Sequence, residues 1–152
     1  MTTPQGVRDP LGDLKDGHVL ARAIIDTIRE PLIVLDGQLR IIAASGSFFK
    51  KFALSHEGTY DTMFYDLGNG EWNIPALRTL LEQVIPAHTT VEDYEVVHEF
   101  LRLGKRTMLV NAREIQFESG DKKMLLSIHD VTEQRATEQA LEKLAAQKTI
   151  ML

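Results

Sequence analysis

Chemistry in this 152-residue chain would have to come from five histidines and a few polar residues set within apolar strands, because it contains no cysteine. The absence of cysteine removes disulfide scaffolds, thiolate zinc, iron–sulfur clusters, thiol nucleophiles and cysteinyl–flavin photochemistry. His18, His56, His88, His98 and His129 include no i, i+4 pair on a helical stretch, and none has a carboxylate at metal-ligand spacing, so no metal site is expected. Glu95, His98, His129 and Asp130 hold acid–base groups, but strand alternation puts Glu95 and His98 on opposite faces. Asp130 and Thr132 have another use: they can satisfy backbone groups where a strand gives way to a helix. Asn111 and Arg113 share a strand face with Leu109 and Ile115. They serve either a polar ligand group or a network such as Arg113 with Glu95 or Asp130, since a buried arginine must be paired. No catalytic residue is expected.

The elements that hold these residues are those of one domain. The chain is 17.1 kDa, 43% hydrophobic and 26% charged, as a globular protein is. Its net charge of −5, with no basic block, speaks against a nucleic-acid partner. No stretch approaches the roughly 20 apolar residues that span a bilayer, and the start lacks the order of a signal peptide, so no membrane insertion and a cytoplasmic setting are expected.

Residues 1–13 read as a flexible lead-in. Residues 14–30 read as an amphipathic cap helix, with Leu20, Ile24 and Ile28 four apart, stopped by Pro31. Two short strands follow around an Asp36-Gly37 turn, the second running from Leu39 to Ala44. Ser45 and Ser47 offer caps for a helix carrying Phe48, Phe49 and Phe52. Irregular turns occupy the stretch from Ser55 to Asn73. The stripe Ile74, Leu77, Leu80, Leu81, Val84 and Ile85 then marks a longer helix, with Asn73 as its cap and Pro86 closing its end. Three alternating strands, Val91–Leu103, Arg106–Phe117 and Lys123–Asp130, form a meander. Residues 132–152 hold neither glycine nor proline; Leu141, Leu144 and Met151 sit at heptad-compatible positions, a thin stripe suited to a partner helix. The expected fold is α+β: a five-stranded antiparallel sheet with short helices on one face, residues 31–131 forming its core, an N-terminal amphipathic helix and a C-terminal coiled-coil-like helix.

That order, with EPLIVLD (30–36), LRIIAAS (39–45) and SIHDVTE (127–133), resembles a PAS domain; Asp130-Val131-Thr132 looks like the Asp-Ile-Thr signature that ends a PAS sheet. LGNGEWNIPALRTLLEQVIP (67–86), EVVHEF (95–100) and GKRTMLVNAREI (104–115) are similar to the subgroup found in bacterial sensor histidine kinases and chemotaxis-methyltransferase fusions. Glu114 stands where that subgroup usually has a second basic residue. ALEKLAAQKTIML (140–152) is similar to the helix that leads into the phospho-accepting histidine of some sensor kinases.

The resemblance implies a ligand pocket between sheet and helices, with Phe48, Phe52, Met63, Phe64, Trp72, Leu77 and Leu81 on the helical side and Val96, His98, Leu109, Asn111 and Ile128 on the sheet. Alternatively, these residues simply fill the core. It implies signal relay through Asp130, Thr132 and Glu133, and a homodimer through Leu20, Ile24, Ile28, Leu141, Leu144 and Met151, with the first helix extending the contact over the outer sheet face. The function implied is a non-catalytic sensory and dimerisation module, from a two-component histidine kinase with its output domain downstream. No cofactor is expected, although an unknown small ligand fits the reading. The alternative is a haem or non-covalent flavin sensor of gas or redox state. YDTMFYDLGNG (60–70) occupies the place of the light-sensing subclass's reactive-cysteine string.

Overall fold

A computed structural model describes residues 14–151, and side chains from 16 to 147. The lead-in, 1–13, and the side chain of Met151 lie outside the described residues. Helix α1 spans Leu14–Thr27 and precedes strands β1 (Leu32–Leu35) and β2 (Ile41–Ala44). Four short helices follow: α2 (Gly46–Phe52), α3 (His56–Thr59), α4 (Leu67–Gly70) and α5 (Pro75–Thr79). A π turn (Leu80–Val84) joins α5 to α6 (Ile85–His88). Strands β3 (Thr90–Phe100), β4 (Gly104–Gln116) and β5 (Lys122–Asp130) lead into α7 (Thr132–Met151). The sheet is five-stranded, ordered β2-β1-β5-β4-β3, with every pair antiparallel.

Alternation along the strands sets the two faces. Val96 and Phe100 of β3, Met108, Val110 and Ala112 of β4, and Met124, Leu126 and Ile128 of β5 are all buried. They meet Phe48, Phe64, Trp72, Leu77, Leu80, Leu81 and Ile85 from the helical layer. The register pairs Val96 with Met108 and Val110 with Ile128, so the inner rows run straight across three strands.

Local chemistry departs from the expected pattern twice. The β1–β2 connection is wider than an Asp-Gly hairpin, and β2 starts at Ile41 rather than Leu39. The Asp36 carboxylate accepts from the amides of Gln38 and Arg40, both at 2.9 Å, and Leu39 takes the left-handed conformation at φ 63°. An aspartate that caps its own loop outcompetes the two-residue turn. The second departure is at Pro86, which lies inside the helix rather than at its end. The amide of Ile85 donates to the carbonyl of Leu80, five residues back, and the wider π turn lets the chain pass a proline that has no amide of its own. Asn73 does not cap this helix; its side-chain oxygen accepts from Arg78 Nε.

Ser45, fully buried, fixes where the first strand meets the helical layer. Its Oγ accepts from the amide of Leu32 at 2.9 Å and from that of Phe48 at the start of α2, and donates to the carbonyl of Glu30. Replacing Ser45 with Ala takes the acceptor from the amide of Leu32, while that of Phe48 keeps the carbonyl of residue 45 at 3.1 Å, and urea denaturation should show a loss of about 1–2 kcal/mol.

Candidate functional site

Two regions hold the residues singled out above: the interface between helices and sheet, and the junction of β5 with α7. At the interface, Trp72 is the centre of a ring cluster. Its indole lies 4.7 Å from Phe52, 5.1 Å from Phe64, 5.2 Å from Phe100 and 5.9 Å from Phe48, centroid to centroid. Phe48 and Phe64 are fully buried, and Leu77, Leu81, Val96 and Ile128 are buried around them. His98 is half-buried on the same strand face, edge-on to Phe100.

Three candidates are not part of this interior. Met63 is exposed just before the turn at Phe64–Asp66. Leu109 and Asn111 point to the outer face of β4, because Met108, Val110 and Ala112 take the inner one. Asn111 has a structural task there: its Oδ1 accepts from the amide of Asp93, 3.0 Å away, in the β3 bulge where Asp93 has φ 53°. Arg113 sits exposed on that outer face, and the partners expected for it are taken by others, Glu95 by Arg135 and Asp130 by Lys51 and Arg106.

At the junction the relay candidates converge. Asp130 Oδ1 accepts from the amide of Thr132 at 2.9 Å and from its hydroxyl at 2.6 Å. Asp130 Oδ2 pairs with Lys51 Nζ at 3.0 Å and with Arg106 at 3.4 Å. Arg106 reaches on to Glu133 at 2.6 Å. The Thr132 hydroxyl accepts from the amide of Thr107 at 2.8 Å, and the amide of Val131 donates to the carbonyl of Thr107. One carboxylate therefore joins α2, β4, β5 and the first turn of α7, and Arg135 adds an ion pair from the next turn to Glu95 of β3.

Electrostatics follow from these contacts. Burial pushes the Asp130 carboxyl upward, but the Thr132 hydroxyl and amide and the Lys51 ammonium outweigh it and hold the group below its ordinary 3.8. The Arg106 hydrogen bond lowers exposed Glu133, and Glu133 in turn raises Arg106. Away from the junction, burial and the Glu82 carboxylate raise the Tyr65 phenol, whose hydroxyl donates to Glu82 at 2.8 Å.

Sequence reasoning missed Lys51 and Arg106. The available signal was weak: a basic residue in the last turn of α2, and an arginine just past the Gly104-Lys105 turn. Of the dimer candidates, Leu20 and Ile24 on α1 and Leu141 and Leu144 on α7 are exposed, and Ile28 is half-buried. His129 faces Glu30 at 3.3 Å, and His56 stacks on Phe49. Among the described residues no cluster of three or more His, Asp or Glu side chains could hold a metal ion, and no helix is long and apolar enough to cross a membrane.

No curated protein matches this chain. Solved structures share its fold at low identity. The PAS domain of Bordetella pertussis BvgS is 16% identical, with 87% of this chain and 98% of that one covered and a TM-score of 0.56. The PAS domain of nitrogen regulation protein NR(II) from Vibrio parahaemolyticus is also 16% identical, with coverages of 73% and 97% and a TM-score of 0.55. An RNA-binding light-oxygen-voltage receptor is 15% identical, with 99% of this chain but 42% of that one covered and a TM-score of 0.67. The sequence profile described as the PAS fold matches residues 25–136, most of the chain and all of the sheet. This chain belongs to the PAS fold family.

Proposed function

We propose that the chain is a non-catalytic sensory and homodimerising module of a cytoplasmic bacterial signalling protein, of the sensor histidine kinase kind, which passes a change in its helical layer to an output domain through α7. The observation that carries this reading is the Asp130 carboxylate, which bonds Lys51 of α2 and Thr132 of α7 together. Helix α2 is two turns long and puts Phe48 and Phe52 into the ring cluster at Trp72. Anything that displaces those rings shifts Lys51 on the same helix. Asp130 is then redistributed between Lys51 and Arg106, and Arg106 also holds Glu133. A packed core and a short ionic chain switch between discrete arrangements rather than deform smoothly, as a relay requires.

The likeness to PAS domains of BvgS and of a two-component sensor histidine kinase supports the setting. A resident haem or flavin is not favoured. The Trp72 cluster fills the space between helices and sheet with the protein's own rings, which a flat macrocycle or tricycle would have to displace.

The paired-helix part is tested with a single cysteine, since the chain has none of its own. Leu144→Cys should give a cross-linked dimer under mild oxidation at micromolar concentration, because Leu144 is 55% exposed on the thin apolar stripe of α7. Ala146→Cys, on the opposite side of the helix, should cross-link poorly. Equal cross-linking at both positions, or none at either, contradicts pairing through that stripe.

A further inference from the structure

The β3–β4 hairpin leaves a recess of about 220 Å³ against the ends of α2 and α4. Phe52, Trp72 and Phe100 form its aromatic floor, and Glu71, Arg102 and the backbone of Gly68 and Asn69 its rim. Two exposed hydrogen bonds fasten the hairpin across this opening. Glu71 Oε1 accepts from the amide of Leu101 at 2.9 Å, and Arg102 donates to the carbonyl of Lys51. Between them the Leu101 side chain is 95% exposed and seals nothing.

The chain bordering the recess is held in the left-handed conformation at Ala53 (φ 52°), Gly68 (φ 62°) and Asn69 (φ 61°). At Ala53 it ends α2, whose C-cap amide donates to the carbonyl of Phe49, and so fixes where Lys51 and Phe52 stand beside the recess. Lys51 has two tasks: its carbonyl takes the Arg102 tether, and its ammonium holds Asp130.

We propose that this recess binds a small flat aromatic acid. The ring lies against the half-buried Phe52 and reaches Trp72 and Phe100 only at their small open margins, 3% and 4% exposed. The carboxylate takes the Leu101 amide from Glu71 and pairs with the Arg102 guanidinium, which leaves the Lys51 carbonyl. The recess is smaller than the roughly 300–1,000 Å³ of drug-sized sites, which limits the ring system to one or two fused rings. The binding claim stands on the recess itself; its consequence for α7 rests on the relay reading above.

Trp72 is the chain's only tryptophan, so its indole N–H gives a single, assigned NMR signal in isotope-labelled protein. Titration of the full chain with 1-naphthoate should move that signal saturably. Arg102→Ala, a change at an exposed residue, should weaken binding roughly tenfold or more, as loss of a charge-assisted bond does. Replacing 1-naphthoate with 1-naphthalenemethanol should weaken it to a similar degree. Glu71→Gln should tighten binding, because it removes the carboxylate that repels the ligand's own.

A non-saturable shift, or unchanged affinity in Arg102→Ala, overturns the proposal. The amide signals of Thr132 to Arg135 separate the two readings. If they move with the indole signal, site and relay are both supported. If the indole titrates while they stay still, the site stands and the relay reading fails.

Discussion

Replacing Asp130 with Ala should destabilise the domain by about 2–3 kcal/mol in urea denaturation and loosen the first turn of α7. The carboxylate is nearly buried, its side chain 7% exposed, while Lys51 and Arg106 are more open at 30% and 20%. The loss therefore falls at or below the low end for breaking a buried pair, since water can still reach the two cations. Most of it comes from what is left behind: the amide of Thr132 loses its acceptor, its hydroxyl keeps only the carbonyl of Thr107 at 3.5 Å, and Lys51 loses its anion while Arg106 keeps Glu133. Asp130→Asn keeps an acceptor for Thr132 and removes the charge, so it should cost about half as much. Hydrogen exchange at Thr132 to Arg135 should quicken in both variants and more in the alanine one.

The same group gives the stability its acid limb. Its carboxyl titrates below the ordinary 3.8 when folded, so the unfolded chain binds the proton first. The stabilisation is complete above that ordinary value and is lost as the pH falls through the lower, folded value. The stability gap between wild type and Asp130→Asn should be constant near neutrality and narrow below about pH 4. A gap that stays open in acid would mean the Lys51 and Thr132 contacts do not favour the ionised form.

The sheet was legible in the sequence because alternation is a local signal. The meander from Thr90 to Asp130 follows from runs of apolar and polar residues broken by turns, and the register then aligns Val96, Met108 and Asp130 across three strands. Alternation defines two faces without labelling them. The family resemblance puts Leu109 and Asn111 inward, whereas the unbroken row Met108, Val110 and Ala112 has the stronger claim, and Arg113 beside Asn111 marks the wet side. The junction was half legible. Asp130 and Thr132 are near neighbours whose side chains and backbone groups complement one another locally. Lys51 reaches Asp130 only once α2 has packed on the sheet, and no pattern in the chain connects the two. Pro86 misled for a similar reason: proline ends a regular helix, but a π turn one residue earlier removes the conflict.

Trp72→Ala should be the most damaging single change in the domain, with a loss of about 3–5 kcal/mol by far-ultraviolet circular dichroism in urea. The indole is 3% exposed and touches the rings of Phe48, Phe52, Phe64 and Phe100, which belong to three separate parts of the chain. Truncation loses the transfer energy of the side chain, leaves a cavity that a packed core closes only in part, and removes four aromatic contacts. Against a total stability of about 5–15 kcal/mol, the loss takes roughly a fifth of it or more. Trp72→Phe keeps a ring in the cluster and should cost far less. Free indole distinguishes a rigid cavity from general loosening: if the surrounding rings hold their places, millimolar indole should fill the gap and raise the urea midpoint of Trp72→Ala while leaving wild type unmoved. Failure of indole to do so would mean that the four phenylalanines collapse inward, and that the helical layer repacks as a unit when its centre is removed. That second outcome bears directly on the relay, because collapse would carry α2 and Lys51 with it and should quicken exchange at Thr132 without any change at the junction itself.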